Sequence, residues 1–349
     1  MADYSCSVTI GIPVYNAEKY IERCLNSVLN QTFDDFEVLV VDDRGTDNSI
    51  LIAEEVANKH ANGAKLRIVQ HDKNKGVAEA RNTIIDEASG KYIYFMDSDD
   101  RISNDAISLL FDKAESTNAE TVWGSYVNVE FDTEKEFPSV NGLGRYPDIE
   151  LFGQDCLALY GCQDVREHLQ QSIWNILYRT DFIKKNNLRF IQLGSFDDGI
   201  FQAKMQPLVN RAVLMSNVTY YYYHRPNSLT HVVDRRGFSI NEAINAIKAI
   251  DCHREICRSI ASKPYFDCRT TKVLKEAYYI SIGILKHRDE MDGEISNSQV
   301  KKILASPASF KQIIGFKRYR LANILVYLLH MLPSSLYVKT LLSIAKHRK

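Results

Sequence analysis

Residues 91–100 of this 349-residue chain read Lys-Tyr-Ile-Tyr-Phe-Met-Asp-Ser-Asp-Asp. The apolar run Tyr92–Met96 predicts a buried strand, and the acidic cluster Asp97–Asp100 follows it without a spacer. The same order occurs earlier, where Phe36–Val41 precedes Asp42 and Asp43. Ligands of open α/β sheets bind beyond the carboxyl ends of the strands, so both acidic clusters predict a ligand site.

Apolar runs and amphipathic stretches alternate over the first 125 residues. Five runs are typical of strands, namely Val8–Val14, Phe36–Val41, Leu66–Gln70, Tyr92–Met96 and Thr121–Tyr126. Between them, apolar residues recur every three or four positions, as over residues 20–29 and 77–88. Because each parallel strand pair needs a crossover connection, the pattern predicts an α/β fold with a mostly parallel, Rossmann-like sheet and helices on both faces.

The pattern predicts two parts in the chain. The first covers residues 1–235 and includes a Pro- and Gly-punctuated stretch, 131–171, that we expect to be a mobile insertion. Near its end, Ala212–Met215 and Thr219–His224 are expected to be two strands. Every segment after Phe238 has helical character, so residues 236–349 are expected to form an all-α C-terminal region.

Composition argues against several classes of protein. Lys and Arg number 43 against 44 Asp and Glu, and 45% of residues are hydrophobic, which is typical of a globular protein and not of a disordered or fibrous one. The seven cysteines are scattered without C-x-x-C spacing, which argues against a disulfide framework or a zinc site. The longest apolar stretch, 321–332, is too short for a bilayer and the start lacks a secretory signal, so we expect a cytosolic protein.

Basic residues are concentrated in the C-terminal tail. Residues 301–349 hold ten basic residues and no acidic one, which leaves 33 basic against 44 acidic residues before them. The tail also contains one apolar helical stripe, formed by Leu321, Ile324, Leu325, Leu328, Leu329 and Leu332. Such a helix can lie on an anionic membrane, here the inner face of the cell membrane, or it can dock on the protein body or on a second subunit of a homo-oligomer. Nucleic acid fits less well, because the basic residues are not interleaved with exposed aromatic side chains.

The acidic clusters indicate a divalent cation. Carboxylates crowded at strand ends repel one another unless a cation or a donor-rich ligand compensates them. Mg²⁺ or Mn²⁺, held by one or two carboxylates and by substrate phosphates, is the natural complement. The alternative is that Asp99 or Asp100 caps the next helix. Neither G-x-G-x-x-G nor a Walker-type glycine loop is present, which argues against dinucleotide oxidoreductases and P-loop hydrolases.

Six short motifs follow one another in the first hundred residues. They are Ile12-Pro-Val-Tyr-Asn16, Gln31-Thr-Phe33, Val40-Val-Asp-Asp43, Asn74-Lys-Gly76, Ala80-Arg-Asn82 and Phe95-Met-Asp-Ser-Asp-Asp100. In this order and spacing the chain resembles the inverting glycosyltransferases of family 2, which have the GT-A fold. Segments 172–179, 196–198 and 220–228 are similar to those of the bacterial polysaccharide-building members, so the resemblance covers roughly residues 5–232.

The resemblance implies a UDP-sugar donor, an acceptor hydroxyl on a saccharide or lipid-linked saccharide, a Mn²⁺ or Mg²⁺ ion, and a single displacement that inverts the anomeric carbon. It implies that Asp198 is the catalytic base and Asp99 the metal ligand. It also implies that Trp174 and Asp197 bind the acceptor. The nucleotide contacts that it implies are Pro13, Tyr15, Asp43, Lys75, Arg81, Asp97, Ser98, Arg225 and Ser228.

The residue types suit these roles. A ring such as that of Tyr15 can stack on a planar base, and a carboxylate such as Asp43 can accept a hydrogen bond from an imide N–H. The guanidinium of Arg225 suits a pyrophosphate. Two residues have structural alternatives, since Tyr15 could pack in the core and Asp198 could cap a helix expected over residues 199–206.

Two positions depart from the resemblance, and two other functions stay open. Arg44 stands where many relatives have a small turn residue, and Asp197 replaces a more usual Glu. A sugar-1-phosphate nucleotidyltransferase would need a glycine-rich, Arg-containing loop after the first strand, which residues 11–15 do not supply. The other hypothesis is a catalytically silent, membrane-associated scaffold that binds nucleotide. His224 could be a metal ligand or a structural residue.

Overall fold

The structure is a computed structural model that describes residues 4–137, 144–166, 168–224 and 239–346. The chain forms two compact units. The first unit comprises residues 1–157, 168–192 and 204–227. The second unit comprises residues 158–167, 193–203 and 228–349. Residues 158–167 and 193–203, which lie within the predicted first part of the chain, therefore belong to the second unit.

A ten-stranded mixed sheet is the scaffold of the first unit. Its strands are β1 Cys6–Val14, β2 Phe36–Asp42, β3 Leu66–Gln70, β4 Gly90–Phe95, β5 Arg101–Ile102, β6 Thr121–Glu130, β7 Glu136–Phe137, β8 Ile149–Phe152, β9 Ile176–Arg179 and β10 Arg211–His224. The order is β3-β2-β1-β4-β9-β6-β10-β5, with β7 beside β6 and β8 beside β10. Strands β1 to β4 pair in parallel, whereas β9 is antiparallel to both β4 and β6. The expected α/β fold class is confirmed.

Helices connect the parallel strands of this sheet. The helices up to residue 205 are α1 Ile21–Leu29, α2 Ser49–Lys59, α3 Val77–Glu87, α4 Ala106–Thr117, α5 Cys156–Gly161, α6 Thr180–Lys185 and α7 Asp197–Met205. Helix α1 shows why the sequence folds this way, because its buried residues all lie on one face: Ile21, Cys24, Leu25, Val28 and Leu29. This face joins the hydrophobic core that β1, β2 and β4 also form.

Strand β10 differs from the sequence prediction of two strands. It is one 14-residue strand whose register with β6 shifts at Val218. Ser216 and Asn217, which lie between the two predicted strands, are exposed at this irregularity. Beyond it, Tyr220 and Tyr221 pair with β5, which directly follows the acidic cluster. The bulge therefore lets one long strand reach the carboxyl edge of the sheet.

The second unit is helical over residues 239–346, so the all-α character expected of the C-terminal region is confirmed there. Its helices are α8 Ile240–Ser259, α9 Phe266–His287, α10 Asn297–Ile303, α11 Phe310–Ile314, α12 Arg320–Met331 and α13 Ser334–Lys346. Reciprocal capping boxes begin three of them, at Ser239, Ser296 and Ser309. Each serine has Glu or Gln three residues later, a local signal that fixes where the helix starts.

A segment from the middle of the chain packs on these helices. Ala158 and Cys162 lie in one buried cluster with Tyr265 and Cys268. Arg318 strengthens the same junction, because its guanidinium donates to Asp267 at 2.8 Å and to the Cys162 carbonyl at 2.9 Å. Arg318, one of the ten basic residues of the tail, therefore makes its contacts within the protein.

Helix α12 carries apolar side chains on two faces. One face packs on buried clusters of the second unit through Ile324, Val326, Tyr327 and Leu329. The other face is exposed at Leu321 (74%), Leu325 (67%), Leu328 (48%) and Met331 (71%). The apolar stripe predicted from the sequence is therefore divided between a packed and an exposed side. Across the part of the chain that the structure describes, no helix is both long and apolar enough to cross a bilayer.

Candidate active site

Three aspartates meet in the turn between β4 and β5. The oxygens that Asp97, Asp99 and Asp100 could offer to a metal ion all lie within 4.8 Å of one another. The turn is closed by a hydrogen bond from the Asp100 N–H to the Asp97 carbonyl at 3.3 Å. Asp105 is the residue that precedes α4, so the alternative in which Asp99 or Asp100 caps the next helix is wrong.

Asp100 is the buried member of this acidic turn. Its side chain is 0% exposed and accepts from the Tyr220 hydroxyl at 2.6 Å and from the Tyr223 N–H at 2.7 Å. Burial raises the pKa of Asp100 well above the usual range, with the charges of Asp99 and Asp97 adding to the effect. A cation among the three carboxylates would favour the ionised form, so the residues present fit a hard divalent ion.

Two arginines border the acidic turn. Arg81 of α3 is buried and donates to an oxygen of Asp97 at 3.1 Å. Arg23 of α1 donates to the main-chain carbonyl of Asp99 at 2.7 Å, and its guanidinium lies 3.5 Å from the centre of the Tyr223 ring. The turn therefore combines crowded negative charge with two fixed positive charges.

Asp43 lies in a second constellation at the same edge of the sheet. Its carboxylate is buried and accepts from the Lys75 N–H at 2.7 Å and the Gly76 N–H at 2.8 Å. His71 Nδ1 lies 2.7 Å from the same carboxylate. The Lys75 ammonium points to Asp72 at 2.9 Å, so the contribution of Lys75 to Asp43 comes from its main chain.

Tyr15 and Trp174 occupy contrasting environments. Tyr15, directly after β1, is 52% exposed, so the alternative of core packing is wrong. The ring of Trp174 stacks on Tyr220 with centroids 4.4 Å apart and on Tyr222 at 5.2 Å, and only 6% of it is exposed. Pro13 in β1 and Ser98 in the acidic turn are partly buried. Of the predicted aromatic contacts, Tyr15 is the one that offers an open face.

Asp197 and Asp198 belong to the second unit, where they form the first turn of α7. Asp197 is 1% exposed and accepts from the Leu193 N–H at 2.5 Å. Asp198 is partly exposed and lies inside the helix, so the alternative in which it caps a helix beginning at Gly199 is wrong. Carboxylates are favourable in this first turn because the helix dipole is positive there.

Other predicted residues lie at or beyond the end of β10. Arg225 and Ser228 fall outside the residues that the structure describes. His224, the last described residue before that gap, has Nε2 3.0 Å from Asn128 Oδ1, a contact that fits a structural role.

The sequence analysis missed several contributors to the site. Tyr220 and Tyr223 reach Asp100 from more than a hundred residues along the chain, and nothing local signals such a contact. Arg23 comes from the first helix. His71 had a detectable signal, because it directly follows β3 at the same edge of the sheet as Asp43.

Known proteins similar to this chain include glycosyltransferases. Residues 9–167 match the family model described as Glycosyl transferase family 2. The chain carries a family 2 glycosyltransferase domain. The uncharacterized glycosyltransferase EpsJ of Bacillus subtilis is 30% identical over 231 residues, which are 64% of this chain and 63% of that protein. A poly(ribitol-phosphate) beta-glucosyltransferase of Bacillus spizizenii is 27% identical over 253 residues, or 70% of this chain and 37% of that protein.

The chain therefore spans less than two thirds of the length of either curated relative. Among solved structures, S. aureus TarS 1-349 in complex with UDP-GlcNAc is similar with a TM-score of 0.67 at 20% identity, over 93% of this chain and 90% of that one. The similarity extends over the sheet and the helical region. Together with the family match, it confirms the GT-A fold expected of a family 2 glycosyltransferase domain.

The glycosyltransferase domain depends on Gly76 for the Asp43 constellation. Gly76 has φ +89°, and an added Cβ would lie 2.2 Å from Gln192 Nε2. We expect Gly76→Ala to destabilise the protein by about 1–3 kcal/mol and to displace the N–H that binds Asp43, because non-glycine residues rarely adopt this backbone. Thermal unfolding followed by circular dichroism measures the loss.

Gly153→Ala is the matched control for Gly76→Ala. Gly153 also has positive φ, +102°, but an added Cβ there would meet nothing within 4 Å. We expect a smaller loss of stability, limited to backbone strain. Equal losses in the two variants would show that the approach of Gln192 and the Asp43 contact add nothing.

Proposed function

We propose that the protein is an inverting glycosyltransferase. It moves a hexose or N-acetylhexosamine from a UDP-sugar to a hydroxyl of a saccharide or lipid-linked saccharide acceptor during synthesis of a surface polysaccharide. The observation that carries the proposal is the acidic turn, whose three carboxylates lie within 4.8 Å at the carboxyl edge of the sheet. The family 2 domain supports the reaction class. UDP-GlcNAc in the TarS complex supports the donor, and the named poly(ribitol-phosphate) substrate of one relative supports a cell-surface polymer as acceptor.

The proposed metal ligand is Asp99, with Mn²⁺ or Mg²⁺ as the ion. Asp99 is partly exposed, whereas Asp100 is buried and held by Tyr220. When bound, the ion would neutralise charge on the diphosphate of the donor. Asp97, held by Arg81 at 3.1 Å, would face the ribose together with Ser98.

The nucleotide base is proposed to bind between Tyr15 and Asp43. The exposed Tyr15 ring suits stacking on uracil, and the Asp43 carboxylate suits an imide N–H. Pro13 would line the same pocket. The remaining proposed nucleotide contacts are Lys75, Arg81, Arg225 and Ser228.

Asp198 is proposed as the base that takes the proton from the acceptor hydroxyl. As that oxygen bonds to the anomeric carbon, the bond from this carbon to the UDP oxygen breaks and the configuration inverts. Asp197 and Trp174 are proposed on the acceptor side, where buried Asp197 would fix the turn that carries Asp198. The catalytic domain in this proposal comprises residues 1–235, and residues 236–349 form the helical region.

We further propose that the exposed face of α12 and α13 contacts an anionic membrane. Four large apolar side chains on α12 are between 48% and 74% exposed, and Leu336 and Ile344 of α13 are also exposed. No acidic residue occurs in residues 301–349, and Lys317, Arg320 and Lys339 in this stretch are exposed. Apolar contact with lipid tails and attraction to anionic head groups would act together.

Replacing Asp99 with Asn tests the metal assignment. Titration calorimetry should show that Mn²⁺ strengthens UDP binding to the wild type. We expect the variant to lose most of that gain in UDP affinity. Loss of a residue that only supports a metal ligand already costs roughly tenfold in metal affinity, so loss of a ligand itself should cost at least as much. Asp112→Asn, an exposed change on α4, is the control and should keep the gain. Full retention by the Asp99 variant would exclude Asp99 as the ligand, and preference for GDP over UDP would overturn the uracil pocket.

Replacing Asp198 with Asn tests the base. Transfer from a UDP-sugar to an acceptor should fall by about 10²- to 10⁴-fold, because a neutral amide cannot take the proton. UDP binding should stay unchanged, since Asp198 is not among the proposed nucleotide contacts. Asp181→Asn in the first turn of α6 is the matched control and should keep full activity. Undiminished transfer by the Asp198 variant would show that another group is the base.

Co-sedimentation with phosphatidylglycerol vesicles tests the membrane contact. Leu321→Gln with Leu325→Gln should weaken binding by more than about tenfold, since burial of one leucine side chain contributes roughly 1.5–3 kcal/mol. Leu51→Gln on α2, where Leu51 is 55% exposed, is the control and should bind as the wild type does. The membrane proposal would be wrong if the wild type did not bind vesicles but formed a dimer, and if the double variant were a monomer. The exposed face would then be the contact with a second subunit.

A further inference from the structure

His71 connects three elements around the Asp43 carboxylate. It is buried, and it directly follows β3. Its Nδ1 lies 2.7 Å from Asp43 Oδ1, at the end of β2, and its Nε2 lies 2.9 Å from the hydroxyl of Thr83 in α3. The main chain of His71 is also fixed, because its N–H donates to the Asp42 carbonyl and its carbonyl accepts from Arg44 Nε. The imidazole therefore has little freedom to turn.

The hydrogen-bond partners of His71 determine how its ring is protonated. An ionised carboxylate only accepts hydrogen bonds, so the Nδ1 of His71 carries the hydrogen and donates it to Asp43. In the neutral ring Nε2 is then an acceptor, and the Thr83 hydroxyl donates to it. Asp43 thereby sets the tautomer, and Thr83 satisfies the remaining ring nitrogen and holds the orientation of the ring.

Counting acceptor positions shows what this arrangement leaves available. A carboxylate has about four lone-pair sites. Three donors reach the Asp43 side chain within the described part of the chain, namely Lys75 N–H, Gly76 N–H and His71 Nδ1. About one site remains for a ligand, and its direction is set by the other three.

We propose that His71 is a positioning residue of the nucleotide pocket. It fixes the Asp43 carboxylate so that the remaining acceptor position faces the imide N–H of the base. The inference rests on the proposed function, in which Asp43 accepts from that N–H. A carboxylate already held in its binding orientation loses little freedom when the nucleotide arrives, so the contribution of His71 is to donor affinity and not to the chemical step.

Two amide substitutions separate the two ring nitrogens of His71. The side-chain nitrogen of asparagine reaches about the place of Nδ1, and that of glutamine about the place of Nε2. His71→Asn therefore keeps a donor for Asp43, whereas His71→Gln keeps only a group near Thr83. Both variants lose the packing contacts of the imidazole ring, so each is a control for the other. Thermal unfolding checks that both are folded.

The expected result is a difference between the two variants in affinity and not in turnover. His71→Gln should weaken UDP binding by about tenfold or more, the effect of losing one hydrogen bond to a charged group, and should raise KM for the donor with kcat little changed. His71→Asn should stay within about threefold of the wild type. Thr83→Val keeps the size of the side chain, so the variant should remain folded. It should weaken UDP binding about threefold to fivefold.

A double-mutant cycle checks that His71 acts through Asp43. In an Asp43→Asn background, His71→Gln should add less than about twofold, because the carboxylate that it positions is gone. Equal UDP affinity for the His71→Asn and His71→Gln variants would overturn the role of His71 but not the proposed function. A Thr83→Val protein that binds UDP as tightly as the wild type would do the same. A wild-type protein that binds no UDP would instead overturn the proposed function and this inference with it.

Discussion

The site depends on the repulsion between three carboxylates in one turn. The carboxylate oxygens of Asp97, Asp99 and Asp100 lie within 4.8 Å of one another, so their charges repel unless positive charge or hydrogen-bond donors compensate them. Arg81 neutralises one oxygen of Asp97, while Asp100 is buried beneath tyrosines. In the proposed function, a divalent cation that carries the donor's phosphate groups would relieve this repulsion. The sheet holds the turn in place, because β4 is paired in parallel with β1 on one side and antiparallel with β9 on the other.

Much of this arrangement could be predicted from the sequence because its signals are local. Buried parallel strands are nearly continuous apolar runs, which predicts β1, β2, β4 and the first part of β6 to within a few residues. The partly exposed strand Leu66–Gln70 is predicted to the residue. The carboxyl ends of parallel strands lie at one edge of a sheet, so the sequence alone predicts that Asp43 and the acidic turn lie at that edge. The resemblance to family 2 then named the fold that the comparisons confirm.

The remaining features depend on contacts between distant parts of the chain. Strand β9 enters the sheet between β4 and β6 in antiparallel orientation, and no periodicity specifies that place. The hydrogen bond from Tyr220 to Asp100 joins residues 120 positions apart. Exposure of the α12 face was also beyond prediction, because an apolar stripe does not reveal which of its members will find a partner. Local propensity predicts an element, whereas tertiary packing decides its neighbours.

The division of the chain into two interleaved units has a consequence for biosynthesis. The chain passes from one unit to the other five times, so neither unit is a continuous stretch of polypeptide. Ala158 and Cys162 leave the ribosome about a hundred residues before Tyr265 and Cys268, the side chains that bury them. Apolar surface in residues 158–167 and 193–203 therefore has to wait for α8 and α9 to emerge. A nascent chain stalled near residue 235 would present this unsatisfied surface to chaperones. A gene cut at that point would encode every residue of the first unit but would lack the helices that cover residues 158–167 and 193–203.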